Sequence, residues 1–453
     1  MIRSATIVVA VAWTLVLLAG CTTTPSAQEH GARDRVAAIG DELRSAQGRL
    51  PVLGEESRPE DYVRFAMLKH PSVFAAYSEW RASVESIAAA RSLPDPQITF
   101  QADIAGTLMS LMPGVMFDLM APEKRATMAR EATAGSEVAY REYVAAVVRT
   151  AAGVRNAWIE LAFVEEAIRL RDASLKALGQ SAEIAAADYS TGRGMTTLEG
   201  QIRTSGESER IRSEIATLDD RRHAAQVQFK AALGLAPADP DPFWPRFPLA
   251  PTVVVSEEAI WQRVQAANPD LARMRAMVDM AMAGEAVARQ GRYPDFSAGL
   301  MVDVKQSPWM WRPLGTVTLP VWRDKVAGQI AAARSRREAA SANVSAERLS
   351  MAAELARMLY MVREADRMIA FIDTTALPNV DRTVVSAEAS IQSGMGGAGM
   401  IPEARLMAAN MQIERLGALR DREVAVTGLL QMTAEIAAGA GSLLPESATT
   451  TDR

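Results

Sequence analysis

Few side chains in this 453-residue chain have the type and spacing for covalent chemistry. Cys21 is the one cysteine, which excludes a disulfide within the chain and any thiolate metal cluster. The histidines His30, His70 and His223 are scattered, and none forms a metal-ligand pair with a neighbour. His70 precedes a proline and is expected at a helix start. The chain has no phosphate-cradling glycine loop after a strand, no HExxH and no GxSxG. The run from Gly394 to Gly399 follows a helical stretch rather than a strand, so it is no dinucleotide fingerprint. Neither catalysis, a metal nor a cofactor is expected. What remains is charge at two glycine turns: Arg193 beside Gly192, and Glu403 and Arg405 just after Gly394 to Gly399. Their chemistry is electrostatic. Like charges gathered at a constriction repel and opposite ones pair, and either can form an ion barrier. Solvated surface charge is the competing role for them.

The elements that must hold these residues are long. No proline falls between Pro122 and Pro237, or between Pro320 and Pro378, which permits unbroken helices. A helix after Pro122, from Glu123 to Ser190, would be about 100 Å long. Its Val144, Val147, Ala151, Val154, Trp158, Leu161, Ile168 and Leu175 follow steps of three and four, the repeat of packed coiled-coil helices. The glycine turns at Tyr189–Met195 and Ser393–Pro402 reverse each rod into a returning helix.

Four short segments instead alternate apolar and polar residues, as strands with two unlike faces do. They are Gln97–Ile104, Val115–Leu119, Phe296–Val304 and Thr316–Leu319. Ile98, Phe100, Ala102 and Ile104 fall on one face, with Gln97, Thr99, Gln101 and Asp103 on the other. Phe296, Leu300, Val302 and Val304 oppose Ser297 and Asp303 in the same way. Trp309 and Trp311 flank the second hairpin loop, where an interfacial anchor and core packing are both open roles. Four strands cannot close a membrane barrel, which needs about eight, and an open edge in lipid leaves backbone amides unpaired. Strands that enter a bilayer here must therefore be completed by other chains. A sheet half-buried on a helical core would show the same alternation.

The two halves match. His70-Pro71 parallels Asn268-Pro269, Pro94 parallels Pro294, and Gly192 parallels Gly394, at offsets of 198, 200 and 202. The expected organisation is a leader at 1–20, an N-terminal tail at 21–57, a repeat at 58–236, a Pro-rich linker at 237–256, a repeat at 257–436 and a tail at 437–453. A net charge of −5 with 23% charged residues offers no basic field for nucleic acid. The apolar run Ala5–Leu18 after Arg3 is short for a membrane span and suits a signal peptide. Nothing else has the uninterrupted apolar length of a spanning helix.

Leu18-Ala19-Gly20-Cys21 resembles a bacterial lipobox, which implies a lipidated Cys21; Thr22 in place of an aspartate implies the outer membrane. Paired strand hairpins, the Pro-rich linker, the Leu93-Pro94-Asp95-Pro96 junction, the Tyr189-Ser190-Thr191-Gly192 tip, Leu233-Gly234-Leu235 and Thr318-Leu319-Pro320-Val321 occur in an order that resembles the TolC family of outer-membrane efflux and secretion channels. That resemblance covers roughly residues 58 to 435. It implies a mainly α fold with two repeats of long antiparallel helices, each with a β-hairpin, and a homotrimer closing a twelve-stranded barrel. Its implied partners are a periplasmic adaptor, an inner-membrane pump and outer-membrane lipid. A lipid-anchored periplasmic coiled-coil adaptor or structural protein is the alternative, but adaptors add β-rich modules beside their helical hairpin, and this sequence has no continuous β-rich stretch.

Overall fold

Prolines and their neighbours punctuate the same series of elements twice. The computed structural model describes residues 24–47, 50–104, 108–190, 198–244, 256–393, 400–437 and 443–444. After α1 (Ala27–Gln47), the first half runs α2 (Pro59–Lys69), α3 (Pro71–Arg91), β1 (Gln97–Ile104), β2 (Leu108–Leu119), α4 (Pro122–Ser190) and α5 (Leu198–Ala232). The second half runs α6 (Glu257–Ala267), α7 (Pro269–Gln290), β3 (Asp295–Asp303), β4 (Met310–Thr318), α8 (Arg323–Phe371), a π-turn (Ile372–Ala376), α9 (Leu377–Gln392) and α10 (Met400–Met432).

Prolines open α2, α3, α4 and α7, where the missing N–H would have had no helical partner. The residue before such a proline is barred from helical geometry, so His70 (ψ 128°) and Asn268 (ψ 123°) break the chain between paired helices. Ser256 caps α6 by accepting from the Ala259 N–H. The segment expected as an N-terminal tail contains helix α1, whose Ala32, Val36 and Ile39 are buried.

Two compact units cut across the sequence repeat. One unit gathers Met1–Asp41, Ala75–Val144 and Pro269–Arg348. Its helical core is aromatic: Trp80 of α3 lies 5.0 Å from Tyr140 and 5.7 Å from Tyr143 of α4, and the Tyr77 hydroxyl donates to the Val36 carbonyl of α1. This unit also carries the one antiparallel sheet among the described residues, in the order β1-β2-β3-β4.

The second unit gathers Glu42–Phe74, Ala145–Asn268 and Leu349–Arg453. Tyr62, Val154, Leu161, Phe229 and Leu233 form one of its buried clusters. A buried ionic cluster ties three of its helices together. Arg155 of α4 pairs with Glu423 of α10 (3.1 Å), Glu423 with Arg422 (2.7 Å), and Arg422 with Asp366 of α8 (2.6 Å). Such a cluster favours one packing register, because shifting any helix strands a buried charge. No described helix is long and apolar enough to cross a membrane.

Candidate functional site: a two-faced sheet and the hairpin ends

The sheet register sorts side chains onto two faces. One row crosses all four strands as Ile98–Val115–Leu300–Pro313, and others join Leu119–Phe296–Val317 and Val302–Trp311. With Phe100, Ala102, Ile104, Leu111, Pro113, Phe117, Ala298 and Gly315, that face carries no polar side chain at all. It is open to its surroundings, with Phe100 at 74% and Trp311 at 60% exposure. A water-soluble sheet would bury such a face, so a half-buried sheet on a helical core is ruled out for it. Trp311 and Trp309 (62% exposed) lie outside the core of the described residues.

The opposite face presents Gln97, Thr99, Gln101, Asp103, Ser110, Asp118, Ser297, Thr316 and Thr318. A polar ladder crosses three strands: Gln97 Nε2 and the Ser297 hydroxyl both donate to the Asp118 carboxylate, at 3.2 and 2.6 Å. The Ser110 hydroxyl donates to Asp103 (2.8 Å). This face is not uniformly polar, however, because Met112, Met116 and Met301 also lie on it. Gly114 makes the room: a Cβ there would fall 2.5 Å from Met301 Cγ and 2.8 Å from the Leu300 carbonyl.

The strands exceed the segments read from alternation. β2 begins at Leu108 rather than Val115, and β4 at Met310 rather than Thr316. Despite their prolines and glycines, the Pro113-Gly114 and Pro313-Leu314-Gly315 stretches lie inside the ladders, Pro113 pairing with Phe100 and Pro313 with Leu300. Backbone pairing across strands outweighed local turn chemistry. At 8, 12, 9 and 9 residues the strands approach or exceed the ~9–11 that a tilted membrane strand needs. The outer edges of β1 and β4 have no partner among the described residues.

In the second unit, the hairpin ends sit at the starts of α5 and α10. Cys21, Gly192, Arg193 and Gly394 lie outside the described residues. Glu403 and Arg405 are exposed on the first turns of α10. Glu403 is engaged within the chain: Arg203 of α5 forms an ion pair with it, both side chains being more than half exposed. Arg203 thus joins the two hairpins near their tips. Arg203 lies 200 residues before Glu403, within two residues of the 202 offset that relates Gly192 to Gly394, and the two carry opposite charges.

The same charge inversion recurs further along. Arg171 of α4 pairs with Glu214 of α5 at 2.8 Å, whereas Asp373 in the π-turn pairs with Arg415 of α10 at 2.6 Å. The π-turn itself has a covalent cause. Pro378 has no N–H to donate to the carbonyl four residues earlier, at Thr374, and a proline within a helix forces the local ladder to reorganise.

Comparison with known proteins agrees with this architecture. Residues 260–435 match the family described as outer membrane efflux protein. No curated protein matches the chain by sequence. Among solved structures, the outer-membrane channel OprN superposes with a TM-score of 0.71 at 12% identity, over 88% of this chain and 96% of its own. The outer membrane protein VceC from Vibrio cholerae gives 0.67 at 16%, over 83% and 95%. The open-state MtrE outer membrane channel of Neisseria gonorrhoeae gives 0.69 at 15%, over 83% and 88%. Residues 260–435 are thus similar to the outer membrane efflux proteins, and the fold of the chain is that of the outer-membrane channels.

Proposed function

We propose that three copies of this chain close their sheets into one twelve-stranded barrel, forming the passive exit duct of a tripartite efflux or type I secretion system. The observation that carries this reading is the sheet face without a polar side chain on any of its four strands. Lipid accepts that face, and the open edges of β1 and β4 need a partner chain because unpaired amides are untenable in hydrocarbon. The duct takes small molecules, metals or drugs from a periplasmic adaptor and an inner-membrane pump, with no chemical step of its own.

Cys21 is the proposed lipid anchor, and the position of α1 supports it. Glu29 of α1 pairs with Arg91 at the end of α3 (3.2 Å), six residues before β1. Cys21 precedes Ala27 by six residues, a reach of at most about 21 Å from that level. The hairpin tips, with Gly192, Arg193, Gly394, Glu403 and Arg405, are the proposed gate.

Native mass spectrometry in detergent tests the assembly, and planar-bilayer recording tests the duct. Three acylated chains and a stepwise conductance are expected. A monodisperse monomer, or a trimer without conductance, would overturn the reading.

A further inference from the structure

We propose that the inner end of the β3–β4 hairpin is a binding surface for anionic glycerophospholipid headgroups of the membrane leaflet that faces the helices. This inference rests on the barrel reading above. Asp295 pairs with Thr318, so the segments flanking β3 and β4 leave the sheet at the same end. Arg292 and Tyr293 precede β3 there, while Trp322, Arg323 and Lys325 follow β4. The turn at Gly291 packs on α8, where a Cβ on that glycine would fall 3.9 Å from Gln329 Oε1, which brings both sets of residues to one place.

Two properties of this patch point to a lipid headgroup. Tyr293 and Trp322 are 61% and 74% exposed, far more than two large aromatic rings accept facing water, and amphipathic rings settle at the headgroup level of a bilayer. Beside them Arg292, Arg323 and Lys325 are exposed, and none of the three forms an ion pair among the described residues. Asp324 is the acid among them, and nearby Asp295 is already neutralised by Lys124 at 2.7 Å. The balance is two net positive charges beside two interfacial rings. A phosphodiester with an uncharged or anionic remainder complements that balance, whereas a zwitterionic headgroup offers its own cation and gains less.

The test uses the full chain in detergent micelles doped with phosphatidylglycerol or phosphatidylcholine, with bound lipid counted by native mass spectrometry. Phosphatidylglycerol is expected to be retained preferentially. Each of Arg292→Gln, Arg323→Gln and Lys325→Gln should weaken it about fivefold, and the triple variant should reduce it to the phosphatidylcholine level. Trp322→Ala should weaken both lipids alike. Lys305→Gln, beyond the other end of β3, should change neither. Retention of the preference in the triple variant overturns the proposal. Equal loss in Lys305→Gln does so too, because the effect is then general charge. Displacement by millimolar inorganic phosphate would identify a free-anion site instead. Bilayer conductance of the same preparations separates the two readings: a channel that conducts but lacks the preference sinks only this proposal, and one that never conducts sinks the duct.

Discussion

The two long helical hairpins are nearly the same length and differ in how they are built. The first descends as the single 69-residue helix α4. The second descends as α8 of 49 residues, the π-turn of 5 and α9 of 16, one residue longer in all. A π-turn accommodates one added residue in an α-helical path, and Pro378 removes a ladder hydrogen bond beside it. The closing turns also differ. α5 ends at Gly234 with a left-handed φ of 76°, where the Leu235 N–H donates to the Lys230 carbonyl (2.9 Å). α10 ends with Ala434 at φ 58°, a conformation that a Cβ disfavours. Duplicated architecture thus conserves path length and end geometry while the second copy takes on the local strain. The reversed ion pairs Arg171–Glu214 and Asp373–Arg415 show that charge complementarity, not the sign at each position, is what the packing requires.

Gly234→Ala should break this comparison most strongly. Its Cβ would meet His70 Cα at 2.8 Å and occupy a left-handed conformation. A loss of about 2–4 kcal/mol is expected, read as a clear fall in Tm, because strain adds to a backbone clash. A Tm within a degree of the parent would mean that the turn relaxes freely.

Next in size is the tip pair. Glu403→Ala together with Arg405→Ala removes the partner of Arg203 and should raise single-channel conductance several-fold without loss of the trimer, whereas Glu165→Ala in the middle of α4 should do far less. Equal conductance in both variants and the parent would place the gate elsewhere.

Ala434→Gly should then stabilise by about 1 kcal/mol, since glycine relieves the left-handed strain. Thermal melts decide it, and a lower Tm would show that Ala434 contributes packing that outweighs its strain.

The smallest effect concerns the equivalent pair His70 and Asn268. Burial holds the His70 imidazole below its usual pKa, and its Nδ1 accepts the Ser72 N–H at 3.2 Å. Because the unfolded chain takes up the proton more readily, stability should fall slightly as pH drops through the normal histidine range. His70→Asn, which copies the second half, should remove that pH dependence. A pH dependence that persists unchanged in the variant would assign it to other groups.

Much of this fold was legible in the residues because its signals are local and periodic. The alternation of Gln97–Ile104 coincides with β1, and the proline-free run from Pro122 to Ser190 coincides with α4. The candidate site was legible in part. The apolar stripe followed from period-two patterning, but β2 and β4 were read as starting only at Val115 and Thr316, because short-range patterning cannot weigh pairing with a distant strand.

What the amino-acid order determined by itself is the set of elements: where helices can run without proline, where the chain must reverse, and which strands have two unlike faces. Each depends on neighbours a few residues away. Tertiary structure alone decided the rest. It chose the register that aligns Ile98, Val115, Leu300 and Pro313 in one row, the folding of α1 onto α3, and the pairing of Arg203 with Glu403. Those outcomes depend on contacts between residues from 13 (Leu300 and Pro313) to 200 (Arg203 and Glu403) positions apart, whose energies exist only once the helices and strands have come together.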